Sequence, residues 1–247
     1  MNRIGQNVSL SDDVVLGDDI TIGNNVTVYP GTRIGDGCRI FDGAVLGRPP
    51  VATSTMNRTL AAPGPLVIDQ QAIVGANAVL YGGTTIGPRT LIGDLATLRE
   101  GCQVAADAVV GRGVMVMYDT CIGERSRIID GTILTGRMTI EADVFIGPGA
   151  NSINDNDVYL RRFGLEPCEF AGPTVRRFAL IGAGAILGAA VEIGIGAIVA
   201  PAAMVTHNVA AWTVVAGVPA RVLREVDADQ RARILARFSR VQGSLAS

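Results

Sequence analysis

The sequence predicts an all-β chain wound as a parallel β-helix, and three observations carry that prediction. An aliphatic residue recurs at every sixth position, glycine often follows it, and aromatic residues make up only 4% of the chain. The first observation sets the period and the second marks a sharp turn in each period. The third removes the large rings from which an ordinary core gains much of its buried area. The core must therefore come from Val, Ile, Leu and Ala.

From Ile4 the six-residue step meets Leu10, Leu16, Ile22, Val28, Ile34, Ile40 and Leu46. A second register runs from Ile68 through Val74 and Leu80 to Ile140 and Ile146, and a third from Val175 to Val205. All 28 slots are aliphatic in a chain that is 48% hydrophobic, a run that chance produces about once in a billion. Gly5, Gly17, Gly23 and Gly35 exemplify the glycine that follows, and Val26, Ala78, Thr90 and Ala185 the small or β-branched fifth position. Six residues hold one short strand and one turn, not a helix pair. Three such units close a triangular coil with the aliphatic side chains stacked inside, and the glycine is expected to take the corner conformation. At a strand spacing of about 4.8 Å, just over nine coils make a prism about 45 Å long.

The rhythm breaks twice. Pro, Ser and Thr fill the first gap, at about 48–67, and a polar, charged run fills the second, at about 151–174. Each break leaves one register and re-enters another, as a loop extruded from a coil corner would, and such loops usually carry sites. The β-helix is thus expected over 1–225. In 226–247, Ile234, Leu235, Phe238 and Val241 share one helical face behind the Asp227/Gln230 capping pair. This helix is expected to cap the open end of the prism or to lie along a neighbour.

Composition excludes several functions. All 21 basic residues are arginine and the formal charge is −2, so no basic field is available to track a nucleic acid. One histidine and four cysteines without a CxxC spacing do not make a zinc cluster, and no metal is expected. Cys38, Cys102 and Cys121 read as small fillers in a reducing compartment. The first residues lack the apolar core of a signal peptide. The apolar stretch 178–205 contains Glu192 and repeated glycines, so no membrane span is expected and the cytoplasm is the expected location.

The hexapeptide pattern resembles the left-handed parallel β-helix of the hexapeptide-repeat family. That resemblance implies the left hand, an exception to the usual right-handed crossover, and a homotrimer. Residues 172–226, closing in AGVPAR, resemble the end of the hexapeptide acetyltransferases. The resemblance implies an acyl-CoA, foremost acetyl-CoA, as co-substrate, its pantetheine arm lying in a groove between prisms. Ala183, Pro201 and Ala202 would line that arm, Gly217 would sit near the adenine, and Arg221 would meet the phosphates. His207, in AMVTHNVA, stands where relatives often place Lys or Arg near coenzyme A, and is grouped with the cofactor residues. The carbonic-anhydrase-like branch needs three histidines. The sugar-nucleotide pyrophosphorylases need an N-terminal nucleotide-binding domain, which a repeat beginning at residue 4 is not expected to accommodate.

The segment VFIGPGANSINDNDVYLRR (144–162) resembles the part of nucleotide-sugar N-acyltransferases where an Asn-Asp pair precedes an aromatic residue and an arginine. It is two residues longer than the commoner spacing and lacks the usual proline. The resemblance makes Asn154 and Asp155 the catalytic pair. Asp155 would hold an ammonium or orient a sugar hydroxyl, and Asn154 would donate to the acceptor or to the thioester oxygen. Asp157, Tyr159, Arg161 and Arg162 would frame the acceptor, and Glu100 and Asp119 would line its groove. Arg48 and Arg58 on the first loop would reach a nucleotide. No clear general base stands beside the pair, and an unprotonated amine needs one less than a hydroxyl does. The expected protein is an acyl-CoA-dependent N-acyltransferase of a nucleotide-linked amino sugar. The alternatives are an O-acetyltransferase of a sugar or small hydroxyl compound, and a non-catalytic β-helix binding protein.

Overall fold

In the computed structural model the structure describes residues 1–52, 60, 62–167 and 169–244, with side chains of the last helix up to residue 238. Arg58, Cys168 and the side chain of Val241 lie outside the described residues. The chain is a left-handed β-helix with three faces of 12, 10 and 9 strands, entered at Arg3–Ile4, Ser9–Leu10 and Val15–Leu16 respectively. Parallel neighbours on a face are 18 residues apart, as Thr21 is from Arg39, except where a loop intervenes and Arg39 pairs with Ile73 or Phe145 with Leu180, and in the shortened last coil, where Ile198 pairs with Val214.

From Thr21–Ile22 onward each two-residue strand buries its second side chain, whereas Ile4 at the open end is exposed and Leu10 and Leu16 are half-buried. Ile22, Ile40, Leu80, Ile122 and Ile181 are at most 2% exposed, and they form one continuous core with the fifth-position residues Val26, Ala78 and Ala185. Stacking like on like works because parallel coils place identical slots directly above one another. Cys38 and Cys102 occupy fifth-position slots in that core, and burial pushes the Cys102 thiol up to about 12. Such a thiol is inert at neutral pH.

Two features depart from the sequence reading. The first concerns glycine. The left-handed backbone is not at the glycine after each aliphatic residue but two positions later, at residues such as Gly113 (φ 61°), Leu95 (φ 61°) and Asp119 (φ 53°). The glycine after the aliphatic is required by close approach: a Cβ on Gly93 would lie 2.6 Å from the carbonyl carbon of Gly111 in the next coil. The second concerns the break itself. The strand Asn151–Ser152 carries the ladder one unit beyond the last aliphatic slot. Ser152 fills the inward slot, where its hydroxyl accepts from the Thr135 amide at 2.9 Å, so a search for aliphatic side chains passes over it.

Three edges join the faces. The edge between the first and second faces, here the glycine edge, has left-handed Gly43, Gly113, Gly131, Gly149 and Gly184 at its turns. The edge between the second and third faces is the loop edge. Both insertions leave it, after Val45–Arg48 and Asn151–Ser152, and both return to third-face strands, Val67–Ile68 and Thr174–Val175. The third edge carries ion pairs: Arg89 with Asp107 at 2.7 Å, Arg125 with Asp143 at 2.7 Å, and Arg177 with Asp143 at 2.8 Å.

The terminal helix spans Ala228–Ser244, and Asp227 Oδ1 caps it by accepting from the Asp229 and Gln230 amides. It does not close the prism end. Phe178 and Trp212 sit at left-handed turn positions and project from the ion-pair edge. Phe238 packs on Phe178, with ring centroids 4.6 Å apart, and Ile234 joins Trp212, Val214 and Val226. The helix thus lies back along its own prism.

Asp143 yields a test of this edge. Burial pushes its carboxyl upward, but hydrogen bonds and charge from Arg125 and Arg177 outweigh burial and hold it below its ordinary value of 3.8. A depressed carboxylate stabilises the fold fully above its unfolded pKa and ceases to do so as pH falls through the folded one. Asp143→Asn should therefore cost about 2 kcal/mol at pH 7. In thermal melts its deficit against wild type should shrink once pH drops below about 4. An equal deficit at all pH values would refute the electrostatic account.

Candidate functional site

The loop edge collects the polar chemistry. Its second turn position repeats at the coil step as Glu100, Tyr118, Gly136 and Asn154. Glu100 is 8% exposed and forms a two-pronged ion pair with Arg99, at 2.9 and 3.2 Å. Arg99 and Arg48 each lie over the ring of Tyr81, 5.1 and 5.2 Å from its centroid. Asp119 is exposed, with its Oδ1 placed over Gly101 of the coil below. Glu100 and Asp119 thus share an edge with the second loop. Arg48 lies farther along that edge, beside the first.

Within the second loop a short helix spans Val158–Arg161. The Asp155 carboxylate accepts through Oδ1 from the Asp157 amide at 2.8 Å and from an Arg161 guanidinium nitrogen at 2.8 Å. The first contact is an Asx turn that starts the helix. Side-chain exposures of 9% for Asp155 and 15% for Arg161 make this a largely buried ion pair, with Asp157 a looser third member at 3.5 Å. The helix periodicity divides the two arginines. Arg161 turns inward, whereas Arg162 stacks 4.5 Å over Phe163 and 5.4 Å over the exposed Tyr159. Arg161 therefore serves Asp155, and only Arg162 of the two is stacked on the exposed aromatics beside Tyr159.

Asn154 differs from its expected role. Its amide nitrogen donates to Tyr118 Oη at 3.2 Å and to the Gly136 carbonyl at 3.3 Å. A carbonyl can only accept, so the NH₂ group must face inward, and both of its hydrogens are engaged. Asn154 is thus not poised to donate to a thioester oxygen. Of this Asn-Asp pair, Asn154 Oδ1 and Asp155 Oδ2 are left without a partner among the described residues, two acceptors on adjacent residues. The pair is built to receive hydrogens.

Tyr118 escaped the sequence reading. The signal for it was a tyrosine in the second turn slot with glycine in the same slot one coil later, visible only when the sequence is folded at 18 residues.

The glycine edge holds the expected cofactor residues. The Ala202 amide donates to the Ala183 carbonyl at 2.9 Å, and Pro201 rests on Gly182, where a Cβ would collide with it. Above them the Met204 amide donates to the Gly217 carbonyl at 3.0 Å, which ties a closing hairpin onto the same edge. That hairpin pairs Thr213–Ala216 antiparallel with Arg221–Glu225, and exposed Arg221 opens its second strand. Ala183, Pro201, Ala202 and Gly217 therefore form one strip, with Arg221 at its end. His207 stands apart from them. It follows Met204–Val205 rather than preceding it, which puts it on the loop edge, exposed, with Nδ1 2.9 Å from Thr206 Oγ1. Two coils, about 10 Å along the axis, separate its turn from that of Asn154.

No group of three or more His, Cys, Asp or Glu side chains converges among the described residues. Among those residues, no helix is long and apolar enough to cross a membrane.

Comparison with known proteins agrees with the architecture. The family model described as bacterial transferase hexapeptide (six repeats) matches residues 3–36 and 13–48. The structure of a UDP-N-acetylglucosamine acyltransferase from Campylobacter jejuni superposes with a TM-score of 0.56 at 13% identity, covering 94% of this chain and 81% of that one. Two proteins, each a 2,3,4,5-tetrahydropyridine-2,6-dicarboxylate N-acetyltransferase, share local sequence. That of Enterococcus faecalis is 41% identical over 63 residues, 26% of this chain and 27% of its own length. That of Staphylococcus aureus is 44% identical over 61 residues, 25% of this chain and 26% of its own length. The chain spans about a quarter of the length of these curated relatives.

Proposed function

The chain is a left-handed β-helix of hexapeptide repeats, and from that premise we propose that it is an acyl-CoA-dependent N-acyltransferase acting on the amine of a nucleotide-linked amino sugar. The observation that carries the reading is the pair of open acceptors, Asn154 Oδ1 and Asp155 Oδ2, on adjacent residues of the second loop, with both hydrogens of the Asn154 amide already used. An amine brings hydrogens to such a pair and keeps its lone pair for the thioester carbon. The C–N bond forms, the nitrogen passes one proton to Asp155, the C–S bond breaks, and that proton is handed on to the sulfur so that coenzyme A leaves as the thiol. Placing the two reactants side by side supplies most of the rate. The N-acetyltransferase names of the two curated relatives support an amine acceptor.

On this reading acetyl-CoA or another acyl-CoA lies along the strip Ala183–Pro201–Ala202–Gly217, with Arg221 on its phosphates. Arg162, Tyr159, Asp157, Glu100 and Asp119 surround the acceptor. The assembly is a cytoplasmic homotrimer. The second face supports association, because its outward slots carry no charge from Thr27 to Met204 and include Val45, Val79, Met115, Ile133 and Ile186. Such a face favours burial against another protein surface.

The placement of His207 on the loop edge favours a second reading, O-acylation with imidazole as base. Thiol release from acetyl-CoA distinguishes the two. UDP-glucosamine, in a panel of UDP-linked amino sugars, should be acetylated, whereas UDP-N-acetylglucosamine, which offers only hydroxyls, should not. Turnover confined to hydroxyl acceptors would overturn the amine reading. Absence of turnover across the panel would favour a binding protein.

A further inference from the structure

We infer that Tyr118 is a positioning residue that fixes the orientation of Asn154, so that the site presents a carbonyl oxygen rather than an amide N–H to the acceptor. The inference rests on the role proposed for Asn154, but the geometry behind it is independent of any activity.

Tyr118, Gly136 and Asn154 occupy the same turn slot in three successive coils. The tyrosine must therefore span two coil steps, about 10 Å along the axis, to reach Asn154. It does so by lying across Gly136. A Cβ on Gly136 would fall 2.5 Å from Tyr118 Cζ and 2.7 and 2.8 Å from its Cε atoms, so any side chain there would displace the ring. Phe170, on the returning limb of the second loop, meets the ring edge-on at 6.5 Å and 80°. The Ala171 amide then donates to the Asn154 carbonyl at 2.9 Å, closing the loop around the same residue. Tyr118 is 8% exposed, so its hydroxyl is held at a fixed point and not swept through solvent.

The consequence is directional. Rotating the Asn154 amide by half a turn would set its oxygen against the Gly136 carbonyl and leave two acceptors facing each other. The Gly136 carbonyl forbids that orientation, and Tyr118 Oη supplies the second anchor that stops the amide swinging outward. A residue that merely filled space would need the ring but not the hydroxyl. Tyr118→Phe separates the two, because it keeps the packing on Gly136 and Phe170 and deletes one anchor.

The first test needs no turnover. In the ¹⁵N-labelled full chain the side-chain amide pair absent from Asn154→Asp identifies Asn154, and its hydrogen exchange with solvent is then followed. Tyr118→Phe should speed that exchange at least about tenfold, the loss of one net hydrogen bond. Equal rates in the two proteins would overturn the inference. The second test is a kinetic cycle with acetyl-CoA and UDP-glucosamine. Tyr118→Phe should lower kcat about tenfold to a hundredfold, with the KM for acetyl-CoA unchanged. The same change made in Asn154→Ala should cost nothing further. An equal cost in both backgrounds, or none in wild type, would make Tyr118 a packing residue only. A wild-type protein inactive on every acceptor would defeat the proposed function, and the exchange measurement would still decide the role of Tyr118.

Discussion

Asp155→Asn is expected to lower acetyl transfer to UDP-glucosamine by about a hundredfold or more, the scale of a lost proton acceptor. The substitution keeps the shape of the side chain and an Oδ1 able to accept from the Asp157 amide. It removes the charge that faces Arg161 and the open oxygen that would receive the proton of the amine. Arg161→Met tests the other half of the ion pair. Arg161 is largely buried and donates to Asp155 Oδ1 at 2.8 Å and to the Glu169 carbonyl at 3.3 Å, so its purpose reads as holding Asp155. Its replacement should cost less than Asp155→Asn, because Asp155 retains its charge and its Asx turn. His207→Ala should remain within about threefold of wild type, since placement of thioester and amine supplies most of the rate. Steady-state thiol release on the three variants ranks them. A silent His207→Ala beside an active Asp155→Asn would reverse the assignment and return the chemistry to the imidazole.

The largest stability effect should come from Gly93→Ala, at about 3 kcal/mol. The added methyl would meet the Gly111 carbonyl carbon at 2.6 Å and the Arg112 amide nitrogen at 2.7 Å, all of it backbone. That backbone cannot retreat, because the Gly93 amide is bonded to the Val110 carbonyl at 2.7 Å and the coils are close-packed. Gly113→Ala makes the comparison. Gly113 holds φ 61°, but nothing lies within 4 Å of its missing Cβ, so only left-handed strain of about 1 kcal/mol remains. Denaturant melts at matched protein concentration should show the larger loss for Gly93→Ala. The opposite order would mean that corner conformation, not contact between coils, explains the glycine of the repeat.

Much of the molecule could be read without coordinates, for a specific reason. In a parallel β-helix the structural period is also a sequence period. The stacked residues Ile22, Ile40 and Val74 announce themselves by spacing alone, as do the two places where the spacing fails. Ala183, Pro201 and Ala202 also fall at regular turns, but their assignment to a cofactor strip came from the family resemblance and not from the spacing. Regularity also misled. Ser152 breaks the aliphatic rule while obeying the ladder, and Phe178 and Trp212 look like exceptions in a turn column until the terminal helix is seen to rest on them.

The sequence by itself determined the coil, its inward slots, the two points of extrusion and the residues offered at the second. It could do so because each depends on a repeat written along one strand of text. Tertiary structure alone decided which way those residues face. The pairing of Asp155 with Arg161 arises in an irregular loop, where no period relates partners. The link from Tyr118 to Asn154 arises between coils, across a glycine that leaves room for the ring and offers its carbonyl to the same amide. Hydrogen-bond polarity at the site follows from those contacts: once both hydrogens of the Asn154 amide are bound inward, only its oxygen remains to meet an acceptor.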